Sequence, residues 1–283
     1  MAGTGDTWLI YNGASGSHDD AALQQLIAAL AAAGHAPAKV LDCKDGTPGA
    51  DQANADGLGM LVVHGGDGTI SRTLGGLEGF GGTVLPLPGG TFNLLAREMF
   101  GERDPLEIVA LLGDSGLVPT RRACIRGEGV LALAELLAGP GAKWADVREE
   151  LRESNLGEMI VKGWDAAATS AVGPMVALAE PAVGSAEGYA GIRLCPRSAG
   201  MTIDGYRAEG LGDYLQQGIA ILRRDFREGP HDELGTGRRV VCRSLDNAPI
   251  PLMVDGERRE GAPVLTFSLD TFDCDLLGPR DGR

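Results

Sequence analysis

Positive charge is scarce in this chain. Its 283 residues hold 25 basic side chains against 39 acidic ones, a formal net charge of −14. Only four lysines occur, Lys39, Lys44, Lys143 and Lys162. Phosphate backbones are bound through clusters of Lys and Arg, so this balance argues against nucleic acid as a partner. It argues equally against electrostatic docking on an anionic bilayer. Cysteine pairs are missing: Cys43, Cys124, Cys195, Cys242 and Cys274 lie tens of residues apart, with no CxxC. Neither a zinc site nor a disulfide framework is suggested, and scattered thiols suit a reducing cytosol. Long apolar runs are absent as well. The uncharged stretches 79–96 and 166–179 are broken by glycine and proline, so neither offers the ~20 apolar residues of a membrane-spanning helix. The N-terminus carries Asp6 and no basic region, unlike a secretory signal peptide. The expected location is cytoplasmic, with at most peripheral contact at the inner face of the membrane.

Glycine, in contrast, is abundant at 44 residues. At ~150 residues per domain the length suggests two domains. Residues 8–11 form a short apolar strand, and residues 21–33 repeat Leu23, Leu26, Ile27 and Leu30 at helical spacing. Strands are expected at 40–41, 58–63 and 83–87, with helices at 70–77, 92–100 and 105–112, the last entered through Asp104-Pro105. Such alternation means a parallel sheet covered by helices. After Gly113 the pattern changes to successive strands at 117–125, 130–137, 159–161, 189–194, 238–242, 252–254 and 264–269. Helices are expected only at 145–153 and 211–226. An α/β domain over residues 1–116 and a mainly antiparallel β domain over 117–283 follow from this pattern.

The sharpest local signal is Gly65-Gly66-Asp67-Gly68-Thr69, after a buried strand and at a helix start. Glycines permit close backbone approach and positive φ, and a helix N-terminus favours an anion. Asp67 cannot itself face phosphate favourably; it suits a phosphate-bound metal ion or a charged partner. A second loop, Pro88-Gly89-Gly90-Thr91-Phe92-Asn93, follows the next strand and leads into Ala96-Arg97. A third, Asn12-Gly13-Ala14-Ser15-Gly16, follows the first strand. All three lie at carboxyl ends of strands, where α/β sheets bind ligands. Each also has a plain reading as a polar turn, with Thr91 a simple helix cap. Neither GxGxxG nor GxxxxGK[ST] is present. No lysine adjoins these loops in sequence, so phosphate charge falls to metal, backbone or Arg, with Arg72 and Arg97 as candidates.

Together these loops resemble the signatures of the diacylglycerol kinase catalytic family, which includes sphingosine kinases and bacterial lipid kinases. Asp255-Gly256-Glu257, after an apolar strand, matches the family's C-terminal Asp-Gly-Glu. The resemblance implies a three-layer α/β nucleotide-binding domain, a β-sandwich-like domain and an active site in the cleft. It implies ATP, Mg²⁺ and transfer of the γ-phosphoryl group to a hydroxyl of diacylglycerol or a related lipid. By motif match, Asn12, Gly65, Gly66, Asp67, Gly68, Thr69, Gly90, Thr91 and Asn93 would bind the nucleotide, with Asp67 at the metal. Asp255 would be the general base, with Glu257 as alternate; the plain reading of Asp255-Gly256 is a hairpin turn. The sequence departs from the family pattern at Gly13, which replaces Pro, and at Glu187-Gly188-Tyr189, the nearest counterpart of an Asp-Gly-x-Leu metal element. A NAD kinase-like phosphotransferase shares Gly-Gly-Asp-Gly-Thr, and a catalytically silent nucleotide- or lipid-binding protein on the same fold is the third reading.

Overall fold

The computed structural model describes residues 5–14, 19–113, 116–140, 175–207 and 231–280. The elements expected at 145–153, 159–161 and 211–226 lie outside them, as do Ser15 and Gly16 of the Asn12–Gly16 loop.

The chain opens with β1 (Asp6–Tyr11), α1 (Asp20–Ala32) and β2 (Pro37–Asp42). A 3-10 turn (Cys43–Asp45) and α2 (Ala50–Ala55) lead to β3 (Leu58–Gly65). Then come α3 (Asp67–Gly75), β4 (Thr83–Pro88), α4 (Leu94–Phe100) and α5 (Pro105–Gly113). Local chemistry sets these limits. Asp19 caps α1 by accepting the Ala21 N–H at 2.8 Å. Gly34 follows that helix with φ of 85°. Asp104 and Glu107 accept each other's backbone N–H at 2.9 Å, a reciprocal cap at the start of α5. Residues 58–63 are buried at every position, as a parallel strand covered on both faces requires.

The remaining strands are β5 (Leu117–Thr120), β6 (Ala123–Gly127), β7 (Val130–Ala132), β8 (Leu136–Ala138) and β9 (Val176–Glu180). After them run β10 (Gly191–Pro196), β11 (Met201–Tyr206), β12 (Asp232–Gly237), β13 (Arg239–Ser244) and β14 (Ile250–Val254). The last three are β15 (Glu257–Gly261), β16 (Val264–Thr271) and β17 (Asp275–Pro279).

Two compact units result, Met1–Cys124 with Thr271–Arg283, and Ile125–Asp270. The first carries a six-stranded sheet of order β2-β1-β3-β4-β17-β5, parallel except for β5. The expected division at 116/117 is thus displaced, because the chain returns. β17 pairs with β4 through Leu276↔Val84 and with β5 through Leu277↔Pro119, filling the place between them. The second unit carries two sheets, β12-β11-β10-β8-β14-β15 and β7-β6-β16-β13-β9. Alternate residues from both sheets, among them Leu136, Ile192, Ile203, Val240, Leu252 and Phe267, share one buried core. That is the layout of two antiparallel sheets packed face to face. No helix among the described residues is long and apolar enough to cross a membrane.

Candidate functional site

The order β2-β1-β3 means that the chain leaves β1 toward one side and returns on the other. Ligands of α/β sheets bind at such a reversal, beyond the carboxyl ends of the strands. The loops after β1 and β3 meet there. Asn12 donates from Nδ2 to Thr69 Oγ1 at 3.3 Å and accepts the Ala14 N–H on Oδ1 at 3.1 Å. Thr69 is buried in the first turn of α3, which begins directly after Gly66. The first N–H groups of an α-helix have no intrahelical acceptor and carry its positive dipole end. In this helix they belong to the Gly66–Thr69 turn.

Of the two needs expected of these glycines, positive φ does not arise at any of Gly65, Gly66, Gly89 and Gly90. What they permit is contact between the two loops. A Cβ at Gly90 would lie 2.5 Å from Gly66 Cα, and one at Gly89 would lie 2.9 Å from both N and Cα of Gly65. At Gly65 it would meet the Thr69 side chain at 2.8 Å. The Gly89 N–H donates to Gly65 O at 2.9 Å and continues the β3–β4 ladder past Gly65↔Pro88.

Side chains then lock the pair. Asp67 Oδ1 accepts the Leu94 N–H at 2.5 Å, so the carboxylate of one loop caps the helix of the other. Asn93 Oδ1 accepts the N–H of Gly89 at 3.2 Å and of Gly90 at 2.8 Å, while Nδ2 donates to Gly90 O at 2.8 Å. Asn93, in the left-handed region at φ 54°, is the N-cap residue of α4. Thr91, expected as that cap in the plain reading, is exposed two residues earlier. The glycine amides of the second loop are therefore engaged by Asn93 and by Gly65 O. Arg97 is drawn to Glu102 at 2.9 Å.

No sequence motif marks Asp42 and Lys44, yet both stand at this rim. Asp42 ends β2 and accepts the N–H groups of Lys44 at 3.1 Å and Gly13 at 3.5 Å on Oδ1. Lys44 Nζ lies 3.0 Å from its Oδ2. Through Asp42 a lysine thus stands beside the Asn12-Gly13 loop, which chain order does not show. The Lys44 backbone N–H and then its ammonium hold the Asp42 carboxyl below the ordinary range. Gly13 also explains itself: it donates an N–H that proline lacks, and a Cβ there would stand 2.6 Å from Asp42 Oδ2.

Asp255 and Glu257 belong to the second unit. Asp255 is 3% exposed, at φ 45° in the β14–β15 turn with Gly256 at φ 83°. Its Oδ1 accepts from Ala134 N at 2.8 Å and Glu135 N at 2.9 Å, and its Oδ2 from Leu133 N at 2.7 Å. Burial pushes its pKa up to about 6, and the three N–H bonds oppose that rise. Glu257, two residues on, is exposed. Glu135 also accepts from Arg193 Nε at 3.2 Å, so the segment clamped by Asp255 is tied to β10 as well. Glu187 lies on an exposed turn and accepts from Ser185 Oγ at 3.2 Å.

Residues 6–121 match the model of the diacylglycerol kinase catalytic domain. The match runs from β1 to just past β5 and takes in none of the second unit. No curated protein matches the chain. Among solved structures, it resembles a provisionally assigned diacylglycerol kinase from Bacillus anthracis str. Sterne over 98% of both chains, with TM-score 0.63 at 17% identity. A second structure under the same provisional assignment, from the same organism, gives 0.64 at 16% identity, again over 98% of both chains. A structure described as a diacylglycerol kinase of that organism gives 0.60 at 14%, over 98% of both. At these identities the likeness is one of fold: a parallel-sheet N-terminal domain followed by antiparallel sheets.

The matched kinase family implies use of a nucleotide. Among the described residues no three His, Cys, Asp or Glu side chains converge as a metal cage. Mg²⁺ is ordinarily held by one or two carboxylates together with substrate phosphates.

Proposed function

We propose that the chain is an ATP-dependent lipid kinase, transferring the γ-phosphoryl group to a hydroxyl of diacylglycerol or a related lipid. The observation that carries this reading is the N-terminus of α3, presented at the strand-order reversal and braced by Asn12, Asp67 and the second glycine loop. The phosphates would lie on the amides of the Gly66–Thr69 turn, where aligned N–H groups offset their charge without reorganising. Gly65, Gly90, Thr91 and Asn93 shape the floor of that turn. Asp67 is the carboxylate that would hold the Mg²⁺ carried by ATP, which would supply neutralisation of the phosphate charge. In the transfer, the lipid oxygen forms a bond to the γ-phosphorus and the bond to the β–γ bridging oxygen breaks. ADP leaves, and the alcohol proton passes to a carboxylate. Asp255 and Glu257 are the acceptors we propose, the first by its raised pKa and the second by its access to water.

One observation favours a second reading, a nucleotide-binding protein without transfer. Both Asp255 oxygens are already engaged by backbone amides. Purified protein with γ-labelled ATP and Mg²⁺, offered diacylglycerol vesicles, extracted lipids or NAD, separates the cases. Label in the lipid fraction supports the kinase. Label in NAD moves the chain to nucleotide phosphorylation. ATP binding without any transfer selects the silent reading.

A further inference from the structure

Glu135 and Arg193 are charged residues of the second unit that the motifs leave aside. Glu135 stands at the corner where the chain passes from β7 in one sheet to β8 in the other. Residues 133–135 lie between those two strands, and each of their N–H groups donates to Asp255. The Asp255 N–H in turn donates to Glu135 O at 2.9 Å. Four hydrogen bonds thus make one piece of Asp255 and the corner. Whatever places Glu135 also places the Asp255 carboxylate.

Arg193 grips Glu135 from the neighbouring strand. It lies in β10 opposite Leu137 of β8 and Asp204 of β11. Its neighbours Ile192 and Leu194 point into the shared core, so its own side chain stands on the other face of the sheet. Nε donates to Glu135 Oε2 at 3.2 Å. Nη1 donates to Tyr206 Oη at 3.3 Å and lies 3.8 Å from Asp204 Oδ2. The guanidinium is therefore anchored on β11 while it holds the corner. The Arg193 and Glu135 side chains are only 19% and 12% exposed. A pair so far out of water gains little net stability, because desolvation offsets the attraction and apolar side chains would pack as well. What a planar, anchored fork gives is a defined place for the carboxylate that it binds.

We propose that Arg193 is a positioning residue for Asp255: through Glu135 it fixes the 133–135 corner, and with it the carboxylate that receives the alcohol proton. The inference rests on the phosphoryl-transfer reading, with Asp255 as the proton acceptor. The alternative is that Glu135, Arg193 and Tyr206 only join β8, β10 and β11.

Steady-state transfer from γ-labelled ATP with Mg²⁺ to dioleoylglycerol in phosphatidylcholine vesicles tests it, with hydrogen exchange of the Leu133, Ala134 and Glu135 amides measured alongside on the full chain. Arg193→Gln and Glu135→Gln each remove one charge and keep a polar side chain. Both are expected to lower kcat by about tenfold or more, the scale of a small displacement of a reacting group, with KM for ATP unchanged. Both are also expected to speed exchange of the three amides while β10 and β11 stay protected. Arg193→Lys, whose ammonium can still meet Glu135, is expected to recover part of the loss. In an Asp255→Asn background the same changes are expected to cost little further, because residues that act through one group do not add. Full turnover in Arg193→Gln and Glu135→Gln, full turnover in Asp255→Asn, additive losses, or amides that exchange as in wild type overturn the positioning role and leave transfer standing. Loss of β10 and β11 protection together with that of the three amides selects the purely structural alternative. A wild type that transfers no label to lipid overturns the kinase reading and this inference with it.

Discussion

Asp255 shows how one side chain can carry opposing demands. Three backbone N–H groups from Leu133, Ala134 and Glu135 converge on it, and burial still holds its pKa at about 6, above the ordinary 3.8. The folded state therefore keeps a proton that the unfolded state releases between about pH 4 and 6. Stability from this group is complete below about pH 4 and declines as pH rises toward 6. Asp255→Asn lacks that titration. Wild type is expected to lose stability relative to Asp255→Asn between pH ~4 and pH ~7, as urea unfolding at the two values would show. A gap that widens in favour of wild type over that range contradicts the raised pKa. Asp255→Ala is expected to fare worse than either, since it strips the acceptor from three amides at ~1–3 kcal/mol for each buried group left unpaired.

At the scale of elements, the paired glycine loops were legible as a site but not as a structure. Gly65–Thr69 and Pro88–Asn93 announce backbone that must approach something closely. Sequence pointed to phosphate; the structure adds that each loop packs directly against the other. Only the register Gly65↔Pro88 makes this visible. Asn93 likewise matched a motif position, but its three bonds to Gly89 and Gly90 depend on a left-handed φ that no pattern displays. Two of the elements missed have little apolar rhythm. In α2 only Ala53 is buried, and β12 is polar or glycine at five of six positions. A graded outcome follows for the loops. Gly90→Ala places a Cβ 2.5 Å from Gly66 Cα, against backbone that cannot turn aside, whereas Gly66→Ala meets Gly90 Cα at 3.4 Å. Gly90→Ala is expected to lower the melting temperature clearly, at a cost of ~1–3 kcal/mol, and Gly66→Ala much less. Equal effects would mean that the loops part more easily than their packing indicates.

For the whole molecule, charge and chain path are the governing facts. With a net charge of −14, attraction to anionic lipid, worth ~1 kcal/mol for each basic residue near the surface, has no general source. Sedimentation with anionic vesicles is expected to be weak and insensitive to salt. Strong binding at low salt that is lost at high salt would reveal a basic face that the composition conceals.

Chain path makes the firmer prediction. The matched family segment ends at residue 121, yet its sheet is incomplete without β17, which lies between β4 and β5. Sequence could not reveal this, because Asp275–Pro279 is a short strand whose partners lie some 150–190 residues earlier along the chain. The returning segment is no loose tail: Phe272, Cys274 and Leu276 are fully buried, and Arg121 pairs with both Asp273 and Asp275. Residues 1–124 alone would expose the β4 and β5 edges and the apolar surface beneath three buried side chains, at ~1.5–3 kcal/mol for each large one. Against a typical domain stability of ~5–15 kcal/mol that is enough to unfold the unit. Residues 1–124 alone, and the full chain cut after Asp270, are both expected to lose the cooperative melting of the parallel-sheet unit. Residues 1–124 joined through a short flexible linker to 271–280 are expected to regain it, followed by circular dichroism. Cooperative melting of 1–124 without the added strand would show that β17 covers the sheet without completing it.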